Sequence, residues 1–218
     1  MTSQPNIIAV IPAYNEGKTI RKVIEGLKPY VTEVVVVNDC SKDNTASEAE
    51  AAGAFVVRHQ INGGYDKTID DGFFEAAKRG ADIIFTFDAD GEHASEDVPR
   101  MLDPILTGKA DIVAGQRPHT THFAEKVFAV YTGLRYGIRD PLCGFKAYRR
   151  EVYDAVGHFD TVQSIGTQLM LVGLKKKFRL ALVPIELRTR VDDTSRFYKR
   201  RFRANMKILK AMWRVIRV

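Results

Sequence analysis

The sequence predicts an α/β fold, a mostly parallel β-sheet with helices on both faces. Three observations predict it. Short runs of branched apolar residues alternate with stretches whose apolar residues recur at helical spacing, in strand–helix–strand order. The strands are continuously apolar, the pattern of strands buried on both faces. Each of the first four ends in a polar, acidic or Gly-rich segment, and ligands of open α/β sheets bind at those carboxyl ends. The 218 residues, 45% of them hydrophobic, suit one such domain with or without an appendage.

Residues 7–11 read as a buried strand. Residues 18–27 follow as a helix, with Ile20, Val23, Ile24 and Leu27 on one face. Residues 33–38 (E-V-V-V-V-N) are a second strand, rich in β-branched side chains. Residues 43–52 are a helix stopped at Gly53, and 54–58 a third strand. Residues 68–79 are a helix ended by Gly80. Residues 82–87 are a fourth strand, 96–106 a helix and 111–114 a short strand. The second half is less regular. Residues 123–136 read as helix, 140–146 as a turn-rich segment, 165–177 as helix, 180–188 as strand and 197–217 as a long helix. No internal repeat or low-complexity linker is present.

The formal net charge of +6 is unevenly placed. Residues 196–218 hold nine basic side chains and no acidic one, which leaves 24 basic and 27 acidic side chains in residues 1–195. The main body is therefore mildly acidic, which argues against a nucleic-acid partner. Two cysteines, Cys40 and Cys143, make neither a disulfide framework nor a metal cluster and point to reduced thiols. No leader is apparent, and no stretch reaches the ~18–20 apolar residues of a membrane span. Together these predict a cytoplasmic protein.

Asp88-Ala89-Asp90 is the sharpest chemical feature. Two carboxylates two residues apart, just past a buried strand, can share one Mg²⁺ or Mn²⁺, completed by substrate phosphates and water; a solvated acidic loop is the plainer alternative. Glu92 and His93 add two further polar groups, His93 more as an orienting or structural residue than a ligand. Pro12-Ala13-Tyr14-Asn15-Glu16 and Asp39 form a second group. A carboxylate at a strand end can accept a base N–H or a ribose hydroxyl, and Tyr14 offers a flat apolar face.

The segments I-P-A-Y-N-E, V-V-V-V-N-D-C-S-K-D-N-T, F-D-A-D-G-E-H and D-P-L-C-G-F-K-A-Y resemble, in order and spacing, family 2 glycosyltransferases. Within that family the chain is most similar to the polyprenyl-phosphate (dolichyl-phosphate) mannosyl- and glucosyltransferases, over about residues 7–196. The resemblance implies a GT-A fold, with a Rossmann-like, mostly parallel sheet. It implies that Pro12, Ala13, Tyr14 and Glu16 line the nucleotide pocket and that Asp39 holds the base. Asp88 and Asp90 would sit at the metal and donor diphosphate, with Ala89 closing on the nucleotide. Glu92 stands near the metal, where relatives often have Gln. Asp90, Glu92 and Arg117 would form the catalytic group, Arg117 facing donor or acceptor phosphate. Arg190, Ser195 and Arg196 match the end of a phosphate-contacting R-x-x-G-x-S-K pattern.

The sequence departs from that family at Gly63–Thr68, at Asp193 and Arg196 (Gly and Lys in the pattern), and at Gln168, where relatives usually carry Glu or Asp. Gln168 cannot act as a general base. A polyprenyl phosphate needs none, because its oxygen is already anionic. The expected reaction is therefore an inverting transfer of a hexose from a UDP- or GDP-sugar, with Mg²⁺ or Mn²⁺, to a lipid-linked acceptor. A sugar-to-sugar transferase and a non-catalytic nucleotide-sugar binding module are the alternatives.

Residues 1–195 read as the transferase domain and 196–218 as a basic amphipathic helix. Tyr198, Phe202, Met206, Leu209, Met212, Trp213 and Ile216 form an apolar stripe with basic residues around it. Such a helix lies on an anionic membrane surface, here the cytoplasmic face, or packs on its own domain or on a second subunit. A homodimer is left open.

Overall fold

The computed structural model describes residues 4–118, 122–188 and 201–218. Among the described residues seven strands form one sheet: β1 (Ile7–Ala13), β2 (Glu33–Asn38), β3 (Phe55–Arg58), β4 (Ile83–Thr86), β5 (Ile112–Gln116), β6 (Lys146–Arg149) and β7 (Leu180–Pro184). Their order is β3-β2-β1-β4-β6-β5-β7. All neighbouring pairs are parallel except β6, which runs antiparallel to both β4 and β5. The expected mostly parallel sheet is present, and the antiparallel insertion is an addition to it.

Among the described residues eight α-helices cover the sheet: α1 (Ile20–Leu27), α2 (Thr45–Ala51), α3 (Tyr65–Lys78), α4 (Val98–Leu106), α5 (Phe123–Tyr136), α6 (Arg150–Val156), α7 (Gln168–Lys175) and α8 (Arg201–Ile216). Alternate strand residues divide between two cores. Ala9, Ile11, Val34, Val36 and Phe85 pack under α1, α2 and α4. Ile8, Val10, Val35, Val37 and Ile84 pack under α3, α5, α6, α7 and α8. Continuous apolar strands follow directly, since both faces are buried. Each fully buried Ile, Leu or Phe contributes ~1.5–3 kcal/mol of transfer free energy, largely offset by chain ordering. At Gly72 a Cβ would lie 2.3 Å from Val10 Cγ1, so glycine there sets how closely α3 approaches the sheet.

Several boundaries shift. α3 starts three residues before the expected 68, because Gly64 (φ +80°) turns the chain at its cap. α7 starts at Gln168 rather than 165, because Ile165 sits at φ +57°, outside helical geometry for a β-branched residue. β7 ends at Pro184, and Leu187 makes only an isolated bridge with His93. β6 and α6 are absent from the sequence reading.

The C-terminal helix differs most. Its buried side chains are Ala204, Ile208, Ala211 and Val215, at i, i+4, i+7 and i+11. They pack the helix against α5 and the common core. Of the expected stripe, Leu209 and Met212 are half-buried against that core, while Met206, Trp213 and Ile216 are exposed. Two small alanines allow the close approach, so the inward face is centred away from the bulkiest side chains. Tyr198 lies outside the described residues.

Candidate active site at the carboxyl edge of the sheet

The ends of β1, β2, β4 and β5 open on one edge, where two cavities adjoin. The larger, about 370 Å³, is lined by Pro12, Tyr14 and Glu16 after β1, by Asp88, Ala89, Asp90 and Glu92 after β4, and by Arg117 after β5. The smaller, about 270 Å³, is lined by Ala13, Asp39, Asn62 and Gly64. Pro12, Tyr14 and Tyr65 border both. Thus every expected nucleotide, metal and catalytic position converges here. Arg190, Ser195 and Arg196 lie outside the described residues.

The loop holding Asp88 and Asp90 is fixed from several sides. Thr19 Oγ1 donates to Ala89 O at 2.7 Å, tying the loop to the start of α1. Asp90 Oδ1 accepts Glu92 N–H at 3.0 Å, closing a tight turn. Asp88 Oδ2 pairs with His93 Nε2 at 3.1 Å, and His93 packs against the rings of Phe87 and Phe145, which also touch each other. Burial alone would raise the Asp88 carboxyl, but the His93 hydrogen bond and the cations of His93, Arg117 and Lys146 hold it below the ordinary carboxylate value. Burial alone would lower His93, and Asp88 with Asp90 raises it instead. A Cβ at Gly144 would lie 2.2 Å from Asp88 Oδ2, so glycine at that position gives the carboxylate its place.

These oxygens are a chemically suitable set for Mg²⁺ or Mn²⁺. Among the described residues no three His, Cys, Asp or Glu side chains converge into a ready metal cage. Asp88, Asp90 and Glu92 share the cavity wall without forming one. A site of one or two carboxylates finished by substrate phosphate oxygens fits this arrangement.

Asp39 is buried at the end of β2. Its Oδ1 accepts Gly63 N–H at 2.7 Å and pairs with His59 Nδ1 at 2.8 Å; Oδ2 accepts Gly64 N–H at 2.9 Å. The carboxylate therefore orders the segment after β3 and keeps acceptor capacity on Oδ2, which carries one donor there. His59 Nε2 meets Asp71 Oδ2 at 2.9 Å, so the ring spans two carboxylates. Asn15 and Cys40, at the ends of β1 and β2, have φ of +54° and +60°. Such left-handed non-glycine residues concentrate at functional edges.

Arg117 is gripped by Asp140: Nε to Oδ2 is 2.6 Å and Nη2 to Oδ1 is 2.8 Å. Burial would lower its pKa, but the paired carboxylate raises it further above its ordinary value. The guanidinium is thus a fixed positive charge in the cavity wall. Lys146 is buried and donates Nζ–H to Gly166 O at 3.1 Å; burial lowers its pKa. Both cysteines are free, and burial pushes the Cys143 thiol up to about 12.

Further wall residues were not among the expected site positions: Tyr65 at the start of α3 and, from the second half of the chain, Glu125 of α5, Leu142, Ile165 and Lys207 of α8. Gln168 is not in the wall. Its Oε1 accepts the N–H groups of Thr161 and Val162 at 2.7 and 3.2 Å, and its Nε2 contacts His158 Nε2 at 2.7 Å. Asp70 is also structural, accepting Phe159 N–H at 2.6 Å.

Asp66 and Asp160 both accept Gly166 N–H, at 2.9 and 3.1 Å. Burial, then the neighbouring Asp160 charge, raises Asp66 to about 6. A raised carboxyl contributes stability that is complete below the unfolded-chain value of about 4 and lost as pH climbs through about 6. Asp66→Asn keeps the acceptor and removes the charge. It is expected to flatten the pH dependence between about 4 and 6 and to stabilise the protein at pH 7 by ~1–3 kcal/mol. Urea unfolding at the two ends of that window measures it; equal stability of both proteins at pH 7 would refute it.

The family model for "Glycosyl transferase family 2" matches residues 8–157. A UDP-N-acetylglucosamine–dolichyl-phosphate N-acetylglucosaminyltransferase of Methanococcus voltae is 27% identical, over 83% of this chain and 84% of that protein. An undecaprenyl-phosphate mannosyltransferase of Micrococcus luteus is 28% identical, over 73% and 72%. Among solved structures, glucosyl-3-phosphoglycerate synthase from Mycobacterium tuberculosis, crystallised with Mn²⁺ and UDP-glucose, superposes with a TM-score of 0.75 at 22% identity, covering 96% of this chain and 79% of that one. That last likeness is one of fold. The matched span takes in the Asp88–Asp90 loop, Asp39 and Arg117, and on this ground the chain belongs to glycosyl transferase family 2.

Proposed function

We propose that this glycosyltransferase moves a hexose from a UDP- or GDP-sugar to polyprenyl phosphate by a single inverting displacement at a cytoplasmic membrane face. What carries the reading is the convergence of Tyr14, Asp39, Asp88, Asp90 and Arg117 on adjoining cavities, beside relatives that are named for transfer to dolichyl or undecaprenyl phosphate.

Tyr14 offers its ring to the base, and the remaining acceptor position of Asp39 takes a base N–H, which uracil and guanine both present. Asp88 and Asp90, with Glu92 beside them on the cavity wall, would supply the one or two carboxylates that hold Mg²⁺ or Mn²⁺, which when bound supplies a Lewis acid for the charge growing on the leaving diphosphate. Arg117, already aimed by Asp140, offsets phosphate charge without reorganising, and Arg190, Ser195 and Arg196 add to it. The acceptor oxygen is anionic and needs no base. This agrees with a buried Gln168 whose amide is committed to the 161–162 backbone. We assign residues 1–195 to transfer and 196–218 to placement at the membrane.

Thermal-shift measurements with UDP-, GDP- and dTDP-sugars, with and without Mn²⁺, test the reading. One donor class is expected to raise the melting temperature in a Mn²⁺-dependent way, and that donor should then label polyprenyl phosphate with inversion at the anomeric carbon. Transfer to a soluble glycoside and not to polyprenyl phosphate would overturn the acceptor, and retained configuration would overturn the mechanism.

A further inference from the structure

Two helices of this chain carry exposed apolar faces, and they are neighbours; on α8 the Arg217 guanidinium stacks 3.3 Å from the centroid of the Trp213 ring. On α5, Phe123, Val130 and Leu134 are 72%, 62% and 88% exposed, at i, i+7 and i+11, with the half-buried Val127 between them. On α8, Met206, Trp213 and Ile216 are exposed. At 100° per residue the α5 side chains, and Met206 and Trp213 on α8, stand opposite the buried stripes of their helices, Ala124, Phe128 and Thr132 on α5 and Ala204, Ile208, Ala211 and Val215 on α8; Ile216 lies to one side. Both buried stripes join the same core and the helices pack on each other, so both apolar faces point outward, away from the sheet. Among the described residues no helix is long and apolar enough to cross a membrane, so this face is a surface feature.

The charges bordering it have one sign. Lys126 flanks the α5 stripe, and Arg203, Lys210 and Arg214 line one flank of α8. The single acidic residue on the two helices, Glu125, is buried and faces the active-site cavity, as does Lys207 of α8. An apolar strip between basic rims complements an anionic lipid surface, in which apolar side chains enter the acyl boundary and cations meet headgroups. It complements a second copy poorly, because that would set basic rim against basic rim.

We infer that α5 and α8 together form one membrane-docking face for an anionic bilayer, with α5 inserting Phe123, Val130 and Leu134 beside Trp213 of α8. This deepens the lipid-acceptor reading and rests on it. Since Glu125 and Lys207 belong to these helices and line the cavity, docking by this face brings the cavity beside the bilayer, where a lipid-borne phosphate enters laterally.

The test uses the full chain, vesicles of phosphatidylcholine with or without phosphatidylglycerol, and the emission of Trp213, the only tryptophan in the sequence. The wild type is expected to co-sediment with phosphatidylglycerol vesicles in a salt-sensitive way, with a blue shift of Trp213 emission. V130E/L134E, altered only at exposed positions of α5, is expected to lose ~10-fold or more of that partitioning, and L134S to lose part of it. Unchanged binding by V130E/L134E would overturn the two-helix face, and so would a doubled mass in solution without vesicle binding. Transfer to a short-chain, water-soluble polyprenyl phosphate without vesicles is read alongside. If V130E/L134E keeps that transfer and loses the vesicles, the inference stands. If the wild type transfers normally but ignores vesicles, the docking face fails while the transferase reading survives.

Discussion

Asp90→Asn is expected to lower turnover by ~10²–10⁴-fold with little change in melting temperature. The asparagine keeps an Oδ1 to accept Glu92 N–H, the contact that shapes the turn, so the loop stays in place. What is lost is one of the three carboxylate charges that the loop after β4 sets in the cavity wall, and metal-assisted charge stabilisation is worth several kcal/mol in the transition state. Steady-state rates across a Mn²⁺ titration should show both a lower ceiling and a weaker apparent metal affinity. Wild-type turnover at saturating donor and metal would remove Asp90 from the proposed site.

Asp140→Ala is expected to cost ~3–5 kcal/mol of stability, because it strands the Arg117 guanidinium in a buried wall without its bidentate partner. For a chain of this size that corresponds to a melting temperature lower by on the order of 10 °C. Asp140→Asn should cost less, since one oxygen remains to accept. Adding Arg117→Met to the Asp140→Ala background should restore much of the loss, since the stranded charge is then gone. Calorimetry on the four proteins decides it: a loss that persists in the double variant would mean Asp140 acts through its other contacts.

The first half of the fold was legible because each strand there is an uninterrupted branched-apolar run followed by a helix of clear period. The site residues it supplies were legible for the same reason, since they stand directly after those strands. The second half hides its elements. Lys146–Arg149 is four residues with charges at both ends, and α6 starts at the next residue, so no turn signal separates strand from helix. Ile165 sits inside an apolar run that reads as helix, and its positive φ is imposed by Asp66, Asp160 and Lys146 gripping the adjacent Gly166. Arg117 was expected to face phosphate and lines the cavity, but its partner Asp140 lies 23 residues away. On α8 the small Ala204 and Ala211 mark the inward side, whereas a reading by hydrophobic bulk chooses Met206 and Trp213. Lys207 and Glu125 reach the cavity through the packing of α8 on α5, which no local pattern encodes.

The antiparallel β6 also governs the order in which the polypeptide becomes competent. β1 meets the segment before β2 through a contact only 25 residues apart, whereas β6 is stitched to β4 through Thr86 and Gly144, 58 residues apart. Pairings across longer loops carry a larger closure entropy and generally form later. Gly144 precedes β6 and gives the Asp88 carboxylate its place. A growing chain can therefore assemble the parallel first half of the sheet early and still lack its acidic loop in final form until β6 has been synthesised and seated. Catalytic competence should thus emerge late on the ribosome, at the step where the two halves of the sheet are sewn together.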